Sequence, residues 1–166
     1  MLALKKSKML SDSPKDAELS RLTNAALALL ARREYARGEL QERLQRRSDD
    51  AELIEQILDA LIERGLQSDE RFCESFVRYR IHQGKGPAKI RQDLRLKRIS
   101  SELLDQVLPY DNEFWVEKAE ETYRQKFKDS SVVNDKDKAK RLRFMVSRGF
   151  SAAMVFPLIE SSQSSC

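Results

Sequence analysis

The chain has 166 residues, 40% hydrophobic and 35% charged, with 31 Lys and Arg against 27 Asp and Glu for a net charge of +4. It lacks the run of about 18 apolar residues that crosses a bilayer, its five Gly and four Pro are too few for the turns of an all-β protein, and Cys73 and Cys166 offer neither a disulfide framework nor zinc spacing. Lys5, Lys6 and Lys8 interrupt what would be the apolar part of a secretory signal, so a reduced, cytoplasmic protein is expected, and the abundance of Ala, Leu, Glu, Arg and Lys favours helix.

Residues 1–13 have no periodicity and are expected to form a flexible lead. Ser13-Pro14 has the form of an N-cap followed by proline at the first helical position. Leu19, Leu22, Ala26, Leu29 and Leu30 then recur at helical spacing, which predicts a helix to about Arg33. Tyr35-Ala36-Arg37-Gly38 breaks it, and a short helix follows with Leu40 and Leu44 inward. Ser48-Asp49-Asp50 offers the next cap. Leu53, Ile54, Ile57, Leu58, Leu61 and Ile62 form a wide apolar face on a third helix, with Gly65 placed as its left-handed stop.

The same order then returns. Ser68-Asp69 caps a helix with Phe72, Phe76, Val77 and Ile81 inward, Gly84-Lys85-Gly86 turns the chain, and Pro87 opens a helix carrying Ile90 and Leu94. Ser100 caps a helix with Leu103, Leu104, Val107 and Leu108, and Pro109 follows it. A third round starts at Asp111, with Phe114, Trp115, Ala119, Thr122 and Tyr123 inward. After a longer linker, 128–135, a helix carries Leu142, Met145 and Val146 and stops at Gly149. Ser151 caps a last helix with Met154, Val155 and Leu158.

The period is about 45–50 residues, one three-helix unit each time. Three such helices bury too little by themselves, so stacking into one continuous core is expected. The expectation is an all-α, elongated, curved array of three tandem three-helix repeats at 14–67, 68–110 and 111–160, followed by a polar tail at 161–166.

Charge is distributed in blocks. From Arg78 to Arg98 there are eight basic residues (Arg78, Arg80, Lys85, Lys89, Arg91, Arg95, Lys97 and Arg98) against the single acid Asp93. Residues 49–74 are strongly acidic. Lys136, Lys138, Lys140, Arg141, Arg143 and Arg148 form another basic block, and Arg32, Arg33, Arg37, Arg43, Arg46 and Arg47 a third. Such blocks also line ordinary solvated helix faces, because long Lys and Arg side chains cover apolar surface with the charge in water. As an electrostatic footprint they point to an anionic partner. The partner- or DNA-binding candidates are the eight residues of 78–98 with Arg43, Arg46, Arg47, Lys140, Arg141, Arg143 and Arg148.

No constellation for catalysis emerges. Gly84-Lys85-Gly86 lacks the Gly-Lys-hydroxyl ending of a phosphate loop and follows no strand. His82 is the single histidine and has no nucleophile motif beside it. The acids of 49–74 form no metal-ligand cluster, and Cys73 beside Phe72 reads as a small packing residue. Tyr35, Tyr79, Tyr110 and Tyr123 are of the type that stacks on single-stranded bases, but amphipathic packing explains each of them as well. Trp115 reads as core or an inter-unit contact, and Arg71 as pairing with Asp69 or Glu74.

Several spaced elements resemble the RecX family. They are Leu61-Ile62-Glu63-Arg64-Gly65-Leu66, then Asp69-Glu70-Arg71-Phe72, Phe76-Val77 with Arg80, and Gly84, Gly86-Pro87, Ile90 and Leu94. Ala26 to Tyr35 with Glu39-Leu40 and Arg43-Leu44, and Lys140 to Phe144 with Ser147-Arg148-Gly149-Phe150-Ser151, extend the likeness over roughly residues 20–160. Gly65, Asp69, Arg71, Phe72, Gly86, Pro87, Ile90, Leu94 and Gly149 form its structural skeleton. The resemblance implies a modulator of the RecA recombinase with no catalysis or cofactor of its own, present as a monomer and not bound to membrane. It implies binding to the RecA filament on single-stranded DNA and suppression of ATP hydrolysis, strand exchange and co-protease activity. The alternatives from the residues alone are a free-standing nucleic-acid-binding helical module and a helical-repeat adaptor. Two departures stand out: Ala36 where similar proteins have a capping Ser, and Arg98 where many have Gly. The extension before Ser13 and the Ser-rich tail have no clear counterpart.

Overall fold

The computed structural model describes residues 13–109 and 111–163. The expectations for most of the lead, for Tyr110 and for Cys166 at the end of the tail lie outside the described residues. The described residues form nine helices and no strand: α1 (Pro14–Leu30), α2 (Arg37–Gln45), α3 (Ala51–Glu63), α4 (Asp69–His82), α5 (Pro87–Leu96), α6 (Ser101–Val107), α7 (Asn112–Phe127), α8 (Asp135–Ser147) and α9 (Ala152–Ser161). The fold is all-α and built of helical repeats, as expected. The chain divides into two compact units, 1–67 and 68–166. The helices expected as second and third repeats lie in the latter.

Capping explains where most helices begin. Ser13, Asp50, Ser68, Ser100, Asp111, Asn134 and Ser151 each accept a backbone N–H of their helix's first turn through the side chain, which satisfies a donor the helix leaves open. Two helices start without this help. At α2 the N-cap is Ala36, fully buried. Its N–H donates to Glu39 Oε2 at 3.4 Å, so half of a capping box survives the missing hydroxyl. At α5 the N-cap is Gly86, about 50 residues further on, in the corresponding place of the next repeat.

The first unit packs around Leu22, Ala26, Tyr35, Leu40, Leu44, Ile54, Ile57, Leu58 and Leu61. Arg37 Nη2 ties α2 to α3 through Glu55 at 2.6 Å and Asp59 at 3.0 Å, and Gln41 donates to Glu55 at 2.7 Å. Buried Gln67 donates to the Tyr35 carbonyl at 3.1 Å. Leu19 and Ile62, expected inward, are exposed. Ile62 follows buried Leu61, and one residue turns the helix by about 100°, past the edge of the buried stripe.

The second unit buries Phe72, Cys73, Val77, Ile90, Leu94, Ile99, Leu104, Leu108, Trp115, Ala119, Tyr123, Met145, Phe150, Val155 and Ile159. Its helices α5 and α8 are joined by backbone. Gly86 N donates to the Arg148 carbonyl at 2.8 Å and Ala88 N to the Gly149 carbonyl at 3.2 Å. Pro87, between them, has no N–H to satisfy. The turn after α8 therefore caps α5. Such close approach leaves no room for side chains: a Cβ on Gly86 would lie 2.6 Å from the Gly149 carbonyl carbon and oxygen, and a Cβ on Gly149 would lie 2.4 Å from Lys89 N. Gly149 also has φ +99, a conformation open to glycine.

Gly65 and Gly86 separate two effects. Gly65 has φ +67 but nothing within 4 Å of a Cβ position, so Gly65→Ala is expected to cost about 1 kcal/mol, the strain of a left-handed side chain. Gly86→Ala has no such strain but must push two backbones apart and lose their hydrogen bonds, at about 2–4 kcal/mol. Thermal unfolding of the full chain, with each substitution made singly, checks the ranking.

Candidate partner-binding surface

The basic residues named as partner-binding candidates are used in four different ways. Arg43, Arg46 and Arg47 are exposed in the first unit, and Arg78, Arg95, Arg98, Lys140 and Arg143 in the second. Arg21 Nη2 donates to the Arg47 carbonyl at 3.1 Å, so the backbone there is held while the Arg47 side chain is exposed.

A second group is half-buried and gathers where α5 meets the turn after α8. Asp93, whose side chain is 11% exposed, sits 2.7 Å from Arg80 Nη2 and 3.2 Å from Lys89 Nζ. Arg148 Nη1 donates to the Gln83 carbonyl at 2.8 Å. Lys85 stands on the turn between α4 and α5. Burial pushes its ammonium below the ordinary lysine range, and the like charges of Arg148, Arg80 and Lys89 push it the same way, with Asp93 opposing. Arg80 and Lys89 thus pair with one carboxylate, and Lys85 and Arg148 add two further positive charges beside them. The Gly86–Gly149 contact holds them together, because it brings the residue before Gly149 against the turn that carries Lys85.

Neighbouring cations are engaged otherwise. Arg91 pairs with Asp105 at 2.7 Å, tying α5 to α6. Lys97 Nζ lies over the rings of Phe72 and Phe76, and Arg80 over Phe76, contacts in which the ring's negative face attracts the cation. Lys89 and Arg91 flank inward Ile90 in the sequence, yet both are half-buried and ion-paired. A separate cleft of about 230 Å³ between α4 and α7 is lined by Arg78, His82, Lys118, Glu121 and Gln125, among others.

Arg141 is a correction. It was expected on the basic face and is 3% exposed. Its Nη1 donates to Tyr123 Oη and the Ser130 carbonyl at 2.9 Å each, Nη2 to Ser130 Oγ at 3.1 Å and the Ser131 carbonyl at 3.0 Å, and Nε to Asp137 at 3.1 Å. Burial works against its charge, but the hydrogen bonds it donates to Tyr123 and Asp137 outweigh it and raise its pKa. Arg141 pins the long linker onto α7 and α8. The buried stripe of α8 is consequently Arg141 and Met145, and Val146, expected inward, is exposed.

The remaining candidates are structural. Tyr123 and Trp115 are buried, the indole N–H donating to the Pro109 carbonyl at 2.8 Å. Cys73 is fully buried, and desolvation with the charge of Asp69 pushes its thiol up to about 12, which leaves it without thiolate reactivity at neutral pH. No group of three or more metal-ligating side chains occurs among the described residues. No helix among them is long and apolar enough to cross a membrane. The sequence reading missed Asp93 as the anchor of the cluster and Leu96, 75% exposed on α5. Leu96 left a signal: it falls two residues, or about 200°, off the Ile90/Leu94 stripe.

Residues 68–108 match the family model described as RecX, second three-helix domain. The regulatory protein RecX of Pseudomonas fluorescens (strain SBW25) is 40% identical over 134 residues, covering 81% of this chain and 86% of that protein. The regulatory protein RecX of Pseudomonas tolaasii is 41% identical over the same shares. A crystal structure of RecX from Lactobacillus salivarius superposes with a TM-score of 0.71 at 25% identity, covering 88% of this chain and 97% of that one. A crystal structure of regulatory protein RecX, at 22% identity and TM-score 0.74 over 95% of this chain and 81% of that one, agrees in fold.

Removing the Arg141 guanidinium strands two carbonyls, two hydroxyls and a carboxylate together. Arg141→Ala is expected to destabilise the second unit by about 3–5 kcal/mol, and Arg141→Lys to recover little of it, since one ammonium cannot reach the same acceptors. Chemical denaturation of both variants measures this. The hydrogen bond from Arg141 also holds the Asp137 carboxyl below its usual range. Its contribution is therefore complete above the ordinary carboxylate range and is lost as pH falls through the depressed folded value.

Proposed function

The chain belongs to the RecX family, and on that premise we propose that it is a negative modulator of RecA, acting on the recombinase filament assembled on single-stranded DNA. It is a regulator and not an enzyme. In this reading it lowers ATP hydrolysis, strand exchange and co-protease activity, and so restrains DNA repair and the SOS response in the cytoplasm. The three-helix repeats at 14–67, 68–110 and 111–160 are its modules, and it works as a monomer.

The observation that carries the reading is the gathering of Arg80 and Lys89, both paired with Asp93, beside Lys85 and Arg148. An excess of three positive charges in a half-buried setting favours a bound anion, because the repulsion among the cations is relieved when one arrives. Exposed Arg43, Arg46 and Arg47 give the first unit its own contact points, and Arg78, Arg95, Arg98, Lys140 and Arg143 give more to the second. Two units that each grip a polymer hold neighbouring subunits together. Bound in that way they favour one subunit arrangement over those that ATP turnover must visit.

The test is a titration into RecA hydrolysing ATP on single-stranded DNA. Hydrolysis is expected to fall at or below equimolar protein, and Lys85→Glu is expected to weaken the effect about tenfold or more. Hydrolysis unchanged at equimolar protein overturns the inhibitory reading. Tight binding to a bare oligonucleotide, lost steeply with salt and without any effect on the recombinase, identifies a free-standing nucleic-acid-binding module instead.

A further inference from the structure

Tyr79, in the last turn of α4, is 58% exposed, whereas Tyr35 and Tyr123 pack in the two cores. Its hydroxyl accepts from Gln83 Nε2 at 2.7 Å. Gln83 is also the link to the cations: its Oε1 accepts from Arg80 Nη1 at 3.1 Å, and its carbonyl from Arg148 Nη1 at 2.8 Å. A single residue thus holds an exposed ring by its hydroxyl edge and joins it to Arg80 and Arg148.

The cations differ in what they have left to offer. Arg80 has Nη2 on Asp93 and Nη1 on Gln83. Lys89 Nζ is on Asp93 and, at 3.3 Å, on Gln92 Oε1. Arg148 has Nη1 on the Gln83 carbonyl and lies over Phe144. Lys85 makes no side-chain hydrogen bond and no ion pair among the described residues. It is half-buried and faces the like charges of Arg148, Arg80 and Lys89, with Asp93 opposing. Its ammonium is the donor left open, in a place where an arriving anion relieves repulsion.

Resting on the reading of the chain as a modulator of the filament, with the single strand as the partner it supplies, we propose that Lys85 and Tyr79 form a contact for one nucleotide of single-stranded DNA. A backbone phosphate sits on the Lys85 ammonium, backed by Arg148, and the adjoining base stacks on the Tyr79 ring. Two features favour nucleic acid over an acidic protein surface. A carboxylate is best met by the two-pronged edge of an arginine, and both arginines here already have prongs on partners inside the molecule; the open donor is a lysine, a point charge suited to phosphate. Carboxylates would also leave the ring uncovered, whereas every base offers it a face. The strand must be single, because the bases of a duplex are already stacked on one another.

The experiment uses the full chain, Tyr79→Ala, Tyr79→Trp and Lys85→Gln, with thermal unfolding to show that each is folded. Binding is measured at low salt to oligothymidylate and to a strand of the same length without bases, and each protein is titrated into RecA hydrolysing ATP on single-stranded DNA. Tyr79→Ala is expected to weaken binding to oligothymidylate about fivefold or more, and to leave binding to the strand without bases within about twofold. Tyr79→Trp is expected to retain oligothymidylate binding. Lys85→Gln is expected to weaken binding to both strands and to flatten the slope of log affinity against log salt by about 0.7, the share of one phosphate on a single strand. If Tyr79→Ala loses affinity for both strands equally, or for neither, the ring does not stack on a base and the proposal fails. If Lys85→Gln weakens the suppression of hydrolysis but binds both strands as before, the lysine meets protein carboxylates, which refutes the nucleotide contact and leaves the modulator reading standing. If the unaltered chain leaves hydrolysis unchanged while Tyr79→Ala still discriminates between the two strands, the modulator reading falls alone and the nucleotide contact is upheld.

Discussion

Two backbone hydrogen bonds between the start of α5 and the turn after α8 organise the second unit. They use donors that a helix start leaves open and carbonyls that a helix end leaves open, so each end solves the other's problem. The arrangement requires Gly at 86 and 149 for close approach, and Pro at 87, where the chain has no donor to waste. Gly84 belongs to the same device: a Cβ there would lie 3.0 Å from Thr122 Oγ1, so α7 also closes on the turn. Packing of this kind is all-or-none, since backbones in contact do not relax as the ends of flexible side chains do.

The electrostatics follow from that contact. Lys85 sits within the turn that α7 and the α8–α9 turn approach, and Arg148 is carried to it by the residue pair that makes the backbone bond. Repulsion among four cations would ordinarily be relieved by side chains swinging into water. Here Asp93 fixes two of them, and Arg148 is held by the Gln83 carbonyl and lies over Phe144 at 5.0 Å. The cluster is thus preorganised by neutral backbone geometry and is left short of negative charge.

Much of this was legible along the chain. Ser13, Asp50, Ser68, Ser100, Asp111 and Ser151 announce helix starts because a short polar side chain before an apolar repeat has few other uses. Gly65 and Gly149 announce stops for the corresponding reason. What local pattern cannot carry is the partner of a buried group. Gly86 reads as a turn, and nothing near it in sequence points to Gly149. Lys89 and Arg91 read as outward because Ile90 points inward, yet Asp93 and Asp105 bring both back against the protein. Burial also follows the strongest neighbour and not the hydrophobicity of the residue alone, which is why Val146 is exposed while Arg141 is not.

Arg141 and Arg98 show how the repeat could have told more. About 51 residues separate Ile90 from Arg141, Leu94 from Met145, Arg98 from Gly149, Ile99 from Phe150, Leu104 from Val155 and Leu108 from Ile159. Apart from Arg98 and Arg141, every one of these positions is occupied by a buried apolar residue or glycine. In that register an arginine takes the place of a core isoleucine in one repeat, and an arginine takes the place of a turn glycine in the other. Both substitutions go against the local rule, and the physics then separates them. The inward arginine has hydrogen-bond acceptors arranged around its guanidinium and is accounted for inside the molecule. The outward one holds a left-handed backbone conformation at an exposed position, a conformation that glycine in the matching turn adopts without strain.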